Sequence, residues 1–304
     1  MHTFAPNSKL LGVWNLKGGI SADMAALEIE DRDGQRRKWI VRRPADGTLQ
    51  RHPHAARDEF RLLQIARSMG LATPTPYHLD RSGEIFSTPY LVIDYIEGEI
   101  EFAPADLAGC MRQMAAHLAQ IHSIDGANQD LAFLSVKQGK CVEMCRERAA
   151  DINVSLDEEH IRAALASIWP VPQQNAPTLL HGDYWPGNIL WRDGKLVAVI
   201  DWEDAALGDP LIDLAISRLD IAWIFGIEAM LTFTDHYQSL TNIDYTNLAY
   251  WDLCAALRLI RLAGADLENW VAFFPPFGRP DITVQTLKAD YNHFITQALA
   301  RLVG

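Results

Sequence analysis

The sequence contains little cysteine. Its 304 residues include 4 cysteines and no CxxC pair. A chain of this length buries a hydrophobic core without disulfides, so no disulfide framework is expected. Cys141 and Cys145 are spaced by about one helical turn, which suits a metal or redox pair. Free cysteine more commonly behaves as a small buried apolar residue, which is the preferred interpretation of both.

A surplus of basic residues is also lacking. The 27 lysines and arginines are outnumbered by 39 aspartates and glutamates, which gives a formal net charge of -12. Tight binding of nucleic acid depends on basic side chains that neutralise phosphates. The charge balance therefore disfavours nucleic acid as a partner.

Long hydrophobic runs are absent as well. The first residues lack a basic start followed by an apolar stretch, so no secretory signal is predicted and the expected compartment is the cytoplasm. The most apolar later segment, IAWIFGIEAMLTF, is interrupted by Glu228 and is too short to cross a bilayer. We therefore predict no membrane span. The sequence gives no indication of the oligomeric state.

The sequence patterns change along the chain. The first third has the alternation and turn residues of strands, whereas the remainder has mostly helical periodicity. This change predicts an α+β protein with a strand-rich lobe over residues 1–98 and a mostly helical lobe over residues 99–304. Gly98 and the acidic, proline-containing segment around it are expected to link the two lobes.

Individual elements follow from the same patterns. In the first lobe, Leu27 and Ile29 alternate with charged residues before the turn signal Asp33-Gly34, which predicts a β-hairpin. PYLVIDYI predicts a further strand. Apolar residues at helical spacing predict helices over 57–69, 107–124, 157–169, 210–240, 244–264 and 281–302.

The most informative segment is LLHGDYWPGNILWRDGKLVAVIDWEDAALGDPLIDLA, residues 179–215. Asp193-Gly194 lies between two apolar runs and predicts a two-residue hairpin turn. If Arg192 pairs with Lys195 across this turn, Asn188 lies opposite Val199 and Asp201 lies two residues beyond. The hairpin is therefore expected to bring Asn188 and Asp201 to the same end.

Their side chains point to a chemistry. A carboxamide and a carboxylate supply the oxygen ligands that magnesium accepts, with phosphate and water completing its shell. Asp183 adds a second carboxylate five residues before Asn188. Phosphoryl transfer needs metal ligands and a carboxylate that accepts or orients the attacking hydroxyl. Asp and Asn are common in turns, but the ordered set of HGD, Asn188, the Asp-Gly turn and IDWE favours a functional site.

These motifs resemble the aminoglycoside phosphotransferase and choline kinase-like family, which has a protein-kinase-like fold. HGDYWPGN looks like the family's catalytic loop, IDWE is similar to its metal-binding segment, and GDPLIDLA matches a further motif. The resemblance implies that Asp183 is the catalytic base and that Asn188 and Asp201 hold Mg²⁺. It also implies that Asp213 braces the catalytic loop and does not contact substrate.

The resemblance extends to the first lobe. LKGGISADMAALEI looks like a glycine-containing nucleotide loop, in which Gly18 and Gly19 let backbone amides approach phosphate. WIVRRP places Arg42 where kinases of this fold usually carry lysine, and Glu59 is the implied partner. Arg43 is the alternative to Arg42. The WIVRRP segment also resembles kinase-like domains joined to acyl-CoA dehydrogenases.

The segment Asp94-Tyr95-Ile96 resembles the hinge whose backbone holds the nucleotide base. Because backbone atoms would make that contact, the side chains of this segment say little about adenine versus guanine. ATP is the expected nucleotide and GTP remains an alternative. The predicted function is magnesium-dependent transfer of a γ-phosphoryl group to a hydroxyl of a small molecule. A nucleotide-binding regulatory module and a metal-dependent phosphoesterase are the other functions considered.

The acceptor is not encoded in a recognisable motif. Acidic residues at 156–160 and 265–268 are compatible with a polycationic ligand, although solvated helix charge is the simpler interpretation. A group of aromatic residues in the second lobe suits either a larger, more apolar acceptor or core packing: Trp223, Trp251, Trp270, Phe273, Phe274 and Phe277. An unspecified hydroxyl compound is preferred over an antibiotic.

Overall fold

The computed structural model describes residues 8–16, 22–137, 156–168, 171–264 and 266–303. Gly18, Gly19, Cys141 and Cys145, which entered the sequence predictions, lie outside these ranges. The chain divides into two compact units. The first comprises Met1–Gly98 with Val197–Glu203, and the second comprises Glu99–Leu196 with Asp204–Gly304.

The first unit contains an antiparallel sheet of five strands in the order β1-β2-β3-β5-β4. The predicted hairpin is present, because β2 and β3 pair along their length and Gly34 adopts φ 75° in the turn between them. The predicted strand in PYLVIDYI is also present, as β5. The strands are β1 Lys9–Asn15, β2 Ala22–Glu30, β3 Arg36–Pro44, β4 Pro76–Asp80 and β5 Tyr90–Asp94.

One face of this sheet is apolar. Ile29, Trp39, Tyr90 and Val92 form a buried cluster on strands β2, β3 and β5. Two helices follow β3, α1 at Asp46–Arg51 and α2 at Ala55–Ser68. Helix α2 contacts strands β3, β4 and β5. Its buried residues recur at helical spacing, so the predicted helix over 57–69 is confirmed.

The second unit is mostly helical, as predicted. Its long helices pack in pairs, with α3 against α6, α5 against α6 and α7, and α9 against α5 and α7. The bounds are α3 Leu107–His122, α4 Glu158–Ser167, α5 Leu211–Phe225, α6 Ile227–Leu240, α7 Leu248–Ala263, α8 Leu267–Val271 and α9 Val284–Val303.

The helical region predicted over 210–240 is two helices. Gly226, with φ 93°, ends α5 and precedes α6. A residue at this φ cannot continue a right-handed helix, and glycine adopts it without the steric cost that a Cβ imposes. The continuous apolar pattern across this position therefore concealed the break.

Short strands surround the segment that carries the motifs. Strand β6, Thr178–Leu180, pairs with β9, Ala206–Gly208. Strands β7, Ile189–Arg192, and β8, Lys195–Val199, form a second two-stranded sheet. Asp193 has φ 52° and Gly194 has φ 70°, the backbone of the predicted Asp-Gly hairpin turn. Among the described helices, none is long and apolar enough to cross a membrane.

A buried ion pair joins two helices of the second unit. Arg218 on α5 donates from Nε to Asp252 Oδ1 at 3.0 Å and from Nη2 to Asp252 Oδ2 at 3.1 Å. Both side chains are almost fully buried. Burying two charges costs free energy that the bidentate contact offsets, so either charge alone would be strongly unfavourable.

We expect Asp252→Ala to lower the free energy of unfolding by about 3–5 kcal/mol, because it leaves a buried guanidinium without its carboxylate. Denaturant unfolding measures the change. Asp235→Ala, at an exposed position on α6, is the control and should change stability by less than about 0.5 kcal/mol. The double variant Arg218→Met/Asp252→Leu should be more stable than Asp252→Ala, and the opposite order would contradict the assignment.

Candidate functional site

The HGD segment after β6 is held by the buried carboxylate of Asp213. Asp213 accepts hydrogen bonds from the backbone N–H of His181 at 2.6 Å and of Gly182 at 3.0 Å. Burial by itself raises the pKa of this carboxyl, but the hydrogen bond and charge of His122, with smaller effects from Lys137, outweigh it and lower the pKa. The expected bracing contact between Asp213 and the loop is therefore present.

Gly182 is required by close backbone packing. Its φ is 86°, and a Cβ at this position would lie 2.0 Å from the backbone oxygen of Asp204. The Lys137 ammonium donates to the Gly182 carbonyl at 2.6 Å, which fixes the other side of the peptide. Any other residue would displace the loop on which Asp183 lies.

Asp183 and Asn188 are in direct contact. The Asn188 amide donates to the Asp183 carbonyl oxygen at 2.9 Å and to Asp183 Oδ2 at 3.0 Å. The 3-10 helix Pro186–Asn188 places the two side chains together. Because Asn188 uses its nitrogen here, its carbonyl oxygen is the atom left to act as a ligand.

Arg258 on α7 forms an ion pair with Asp183 Oδ1. A quarter of each side chain is exposed, so the pair is accessible to solvent. Burial opposes the charge of Arg258, but the fields of Asp183 and Asp220 outweigh it and raise the pKa of Arg258. Sequence reasoning did not select Arg258.

Asp220 on α5 is a second carboxyl beside Arg258. Burial raises the pKa of Asp220, the Arg258 charge offsets part of this and the Asp183 charge adds to it, which brings the pKa to about 7. Trp223 Nε1 donates to Asp220 Oδ1 at 3.1 Å. Asp220 was also missed, although Asp213, Ser217 and Asp220 recur every three or four residues in an otherwise apolar helix, a spacing that signals a polar stripe with buried partners.

In the first unit, Arg42 joins three carboxylates. Its Nε lies 3.0 Å from Glu59 Oε1, and its Nη2 lies 2.9 Å from both Asp201 Oδ1 and Glu203 Oε2. Arg43 instead pairs with the exposed Asp23 on β2. The prediction that Arg42, and not Arg43, pairs with Glu59 is confirmed. Glu203 was quoted in the IDWE motif but was not predicted to take part.

Arg42 and Glu59 are the buried members of this charged cluster, whereas Asp201 and Glu203 are partly exposed. Only 4% of Arg42 is exposed, and burial lowers its pKa, but the fields of Glu59, Asp201 and Glu203 outweigh burial and raise it. Burial raises the pKa of Glu59, and the charge of Arg42 offsets part of this. Arg42 therefore stays charged and is the counterion that allows Glu59 to lie in the interior.

Asp201 has an unusual backbone conformation. Its φ of 64° lies in the left-handed region, which costs a residue with a Cβ about 1–2 kcal/mol. The following 3-10 turn is fixed by Trp202, whose Nε1 donates to the Val199 carbonyl at 2.9 Å. Such a conformation persists where surrounding contacts enforce it, and it turns the carboxylate toward Arg42.

The predicted hinge residues follow β5. Asp94 Oδ1 accepts from the Tyr77 hydroxyl at 2.6 Å and Asp94 Oδ2 accepts from the Thr75 N–H at 3.2 Å. Its side chain therefore braces strand β4 against β5. Ile96 lies beyond the end of the strand and is half-buried. The nucleotide contact predicted for Asp94 and Ile96 stays a prediction.

Two sets of predicted residues are thus assembled, each within one unit. Arg42, Glu59 and Asp201 contact one another in the first, and Asp183 and Asn188 do so in the second. Among the described residues, no group of three or more His, Cys, Asp or Glu side chains forms a complete metal site. Magnesium characteristically takes one or two protein oxygens and fills its shell with phosphate and water, and the carbonyl oxygen of Asn188 and the carboxylate of Asp201 are each of the ligand type that suits this metal.

A family model described as "Phosphotransferase enzyme family" matches residues 15–251, more than half of the chain. The chain therefore belongs to the phosphotransferase enzyme family. The structure of the GDP and kanamycin complex of APH(2")-IIia has a TM-score of 0.64 to this chain at 15% identity, with 98% of this chain and 96% of that chain covered. The likeness confirms the predicted protein-kinase-like α+β fold.

Curated relatives are larger proteins. Acyl-CoA dehydrogenase family member 10 of Mus musculus is 29% identical over 204 residues, which cover 60% of this chain and 18% of that protein. Acyl-CoA dehydrogenase family member 11 of Rattus norvegicus is 25% identical over 254 residues, which cover 74% of this chain and 32% of that protein. This chain thus spans about a third or less of the length of these relatives.

The Asp220 carboxyl gives a test of this site through pH. Its pKa is raised by folding to about 7, so the folded state holds a proton that the unfolded state loses near pH 4. Its contribution to stability is complete below about pH 4 and is lost as the pH rises through about 7. The unfolding free energy should therefore fall by up to about 1.4 kcal/mol per pH unit in this window.

We expect Asp220→Asn to remove this dependence, because asparagine keeps an acceptor for Trp223 and has no proton to lose. Denaturant unfolding from pH 4 to 8 measures the slope of wild type against the variant. Asp235→Asn, at an exposed position, should keep the wild-type slope. Equal slopes for Asp220→Asn and wild type would mean that the Asp220 carboxyl is already ionised in the folded protein.

Proposed function

We propose that this chain is a magnesium-dependent phosphotransferase that moves the γ-phosphoryl group of ATP to a hydroxyl of a small molecule. The observation that carries the proposal is the contact between Asp183 and Asn188 on a loop fixed by Asp213. It joins a partly exposed carboxylate to an amide whose carbonyl oxygen is left for a cation. Membership in the phosphotransferase enzyme family supports this assignment.

Asp183 acts on the acceptor. The acceptor hydroxyl oxygen attacks the γ-phosphorus, the bond to the bridging oxygen breaks, and the hydroxyl proton passes to Asp183. The products are a phosphate monoester and a nucleoside diphosphate. Arg258 holds Asp183 through the ion pair to Oδ1, and Asn188 orients its carboxylate through the bond to Oδ2.

Magnesium, when bound, neutralises charge on the nucleotide phosphates. Asn188 would supply a carbonyl oxygen for the metal and Asp201 would supply a carboxylate oxygen. Arg42 holds the Asp201 carboxylate through Oδ1, and Glu59 and Glu203 hold Arg42 in turn. Arg42 is therefore a positioning residue for the metal ligand.

Backbone groups hold the rest of the nucleotide. Gly18 and Gly19 receive phosphate, and the peptides of Asp94 and Ile96 receive the base. Because the side chains of this segment would not contact the base, they do not select between adenine and guanine, and GTP is the alternative nucleotide. Asp183, Asn188 and Asp201 together supply a base and metal ligands, which favours transfer over a regulatory module that only binds nucleotide.

Truncation of Asp183 and truncation of Asp201 should change turnover and nucleotide affinity differently. Asp183→Ala removes the proton acceptor, so kcat should fall about 100-fold to 10 000-fold while magnesium-dependent nucleotide binding persists. Asp201→Ala removes a metal ligand, so both nucleotide affinity in magnesium and turnover should fall. Calorimetric titration of ATP with and without magnesium, together with a coupled nucleotide-consumption assay across hydroxyl acceptors, separates these patterns.

Asp235→Ala is the control for both aspartates and should match wild type. Near-normal turnover in Asp183→Ala would refute its role as base. Unchanged magnesium-ATP affinity in Asp201→Ala would refute its role as metal ligand.

Arg42→Lys should weaken magnesium-ATP binding by on the order of tenfold, because one ammonium cannot reproduce the fork that holds three carboxylates. Arg43→Ala is the matched control and should change the affinity less than twofold, about 0.4 kcal/mol, since its partner Asp23 is exposed. Thermal unfolding of both variants separates loss of binding from loss of fold. A larger effect at Arg43 than at Arg42 would reverse the assignment.

A further inference from the structure

Four aromatic side chains of the second unit form a connected group, here called the aromatic patch: Phe102, Trp185, Phe273 and Phe277. Phe273 is the hub, with ring centroids 6.3 Å from Trp185, 6.0 Å from Phe102 and 4.9 Å from Phe277. Phe102 also contacts Trp185 at 6.0 Å and Phe277 at 5.3 Å. The four rings therefore form one connected group.

Part of the patch is open to solvent. Phe102 is buried, but Phe273 is 43% exposed and Phe277 is 36% exposed. Pro275 and Pro276 between them are exposed as well. Two neighbouring, partly exposed phenylalanines flanked by exposed prolines form an apolar surface of the kind that marks ligand or partner binding.

The patch adjoins Asp183 along the chain. Trp185 follows Asp183 by two residues. Its indole ring lies against Gly187, where an added Cβ would be 2.2 Å from the ring. Glycine at 187 is therefore what lets the indole lie across the catalytic loop. A ligand on the Trp185 face is in contact with the loop that carries the proposed base.

A second connection reaches Asp183 through side chains. The buried Phe274 contacts Phe102 at 5.1 Å and Trp223 at 5.1 Å. Trp223 donates a hydrogen bond to Asp220. The negative charges of Asp220 and Asp183 both raise the pKa of Arg258. The patch is thus connected to the proposed base by the loop that contains Trp185, and to Asp220 by packing through Phe274 and Trp223.

The patch is rigidly supported. Arg279 donates from Nη1 to the Phe102 carbonyl at 2.9 Å and pairs with Asp281 at 2.8 Å, which secures the segment after Phe277. Pro275 lies in the first turn of the 3-10 helix Pro275–Phe277, where a fixed φ favours that turn. A preformed surface loses little conformational entropy when a ligand binds.

We propose that the aromatic patch binds an apolar portion of the acceptor, so that the substrate class is a hydroxyl compound with an alkyl or aromatic moiety. The inference rests on the proposed function, because it places the acceptor hydroxyl at Asp183. The four rings of the patch offer no carboxylate to a polycationic acceptor. An apolar moiety, in contrast, gains affinity there by leaving water.

Alkyl β-D-glucosides with methyl, hexyl and octyl chains test this directly, because they share one set of hydroxyls. The full chain is labelled with 5-fluorotryptophan, and Trp185→Phe identifies the Trp185 resonance in ¹⁹F spectra. Below the micelle concentration, octyl glucoside should shift that resonance. Its affinity should exceed that of the shorter chains by up to about fourfold per added methylene.

Phe273→Ser/Phe277→Ser should weaken octyl glucoside binding at least tenfold and leave magnesium-ATP affinity unchanged. Leu262→Ser, which removes an equally exposed apolar side chain from α7, is the control and should bind as wild type. Binding that is independent of chain length, a Trp185 resonance that does not shift, or a double variant with wild-type affinity would each overturn the inference.

Nucleotide consumption in the same samples separates this inference from the proposed function. Wild type and the double variant could phosphorylate glycerol or kanamycin at equal rates while neither binds octyl glucoside. That result would overturn the role of the aromatic patch in acceptor binding and would leave the proposed phosphotransferase function intact. Octyl glucoside binding at Trp185 in a chain that binds no magnesium-nucleotide would support the patch as a ligand surface and overturn the phosphotransferase.

Discussion

The geometry of the HGD loop depends on one buried carboxylate. Asp213 is fully buried, and its two oxygens accept the backbone N–H groups of His181 and Gly182. One helical turn further along α5, the Ser217 hydroxyl donates to the Tyr184 carbonyl at 2.6 Å. A loop cannot satisfy these peptide groups by itself, and α5 does so from both sides of Asp183. The position of Asp183 is therefore set by a helix and not by the flexibility of its own segment.

Much of this arrangement follows from the sequence. The Asp-Gly turns at 33–34 and 193–194 encode their hairpins locally, and period-3.6 spacing encodes α2 and α3, so these elements were predictable. Asp183 and Asn188 were predictable because they lie five residues apart in a single turn. The break at Gly226 was not predictable from periodicity, because apolar residues continue across it and only its φ distinguishes the two helices.

The missed residues share a physical cause. Arg258 reaches Asp183 across 75 residues, and no local pattern encodes a contact of that range. The last two turns of its helix contain Arg258 and Arg261 among apolar residues, and the sequence does not distinguish the arginine that pairs with Asp183 from the other. Asp220 was easier to predict as a site residue than Arg258. A carboxyl inside a helix that is buried throughout must find a partner or stay protonated. Its raised pKa indicates that it does both in part.

Arginine at position 42 follows from the number of acceptors around it. Three carboxylates lie within 3.0 Å of its guanidinium, two of them on one nitrogen and one on Nε. A lysine ammonium is a compact charge with no fixed fork, so it would satisfy the nearest carboxylate and leave the others less well held. Glu203 supplies the acceptor that a two-carboxylate site would lack. The cluster therefore holds one cation against three carboxylates, and the partial exposure of Asp201 and Glu203 lets solvent screen the excess negative charge.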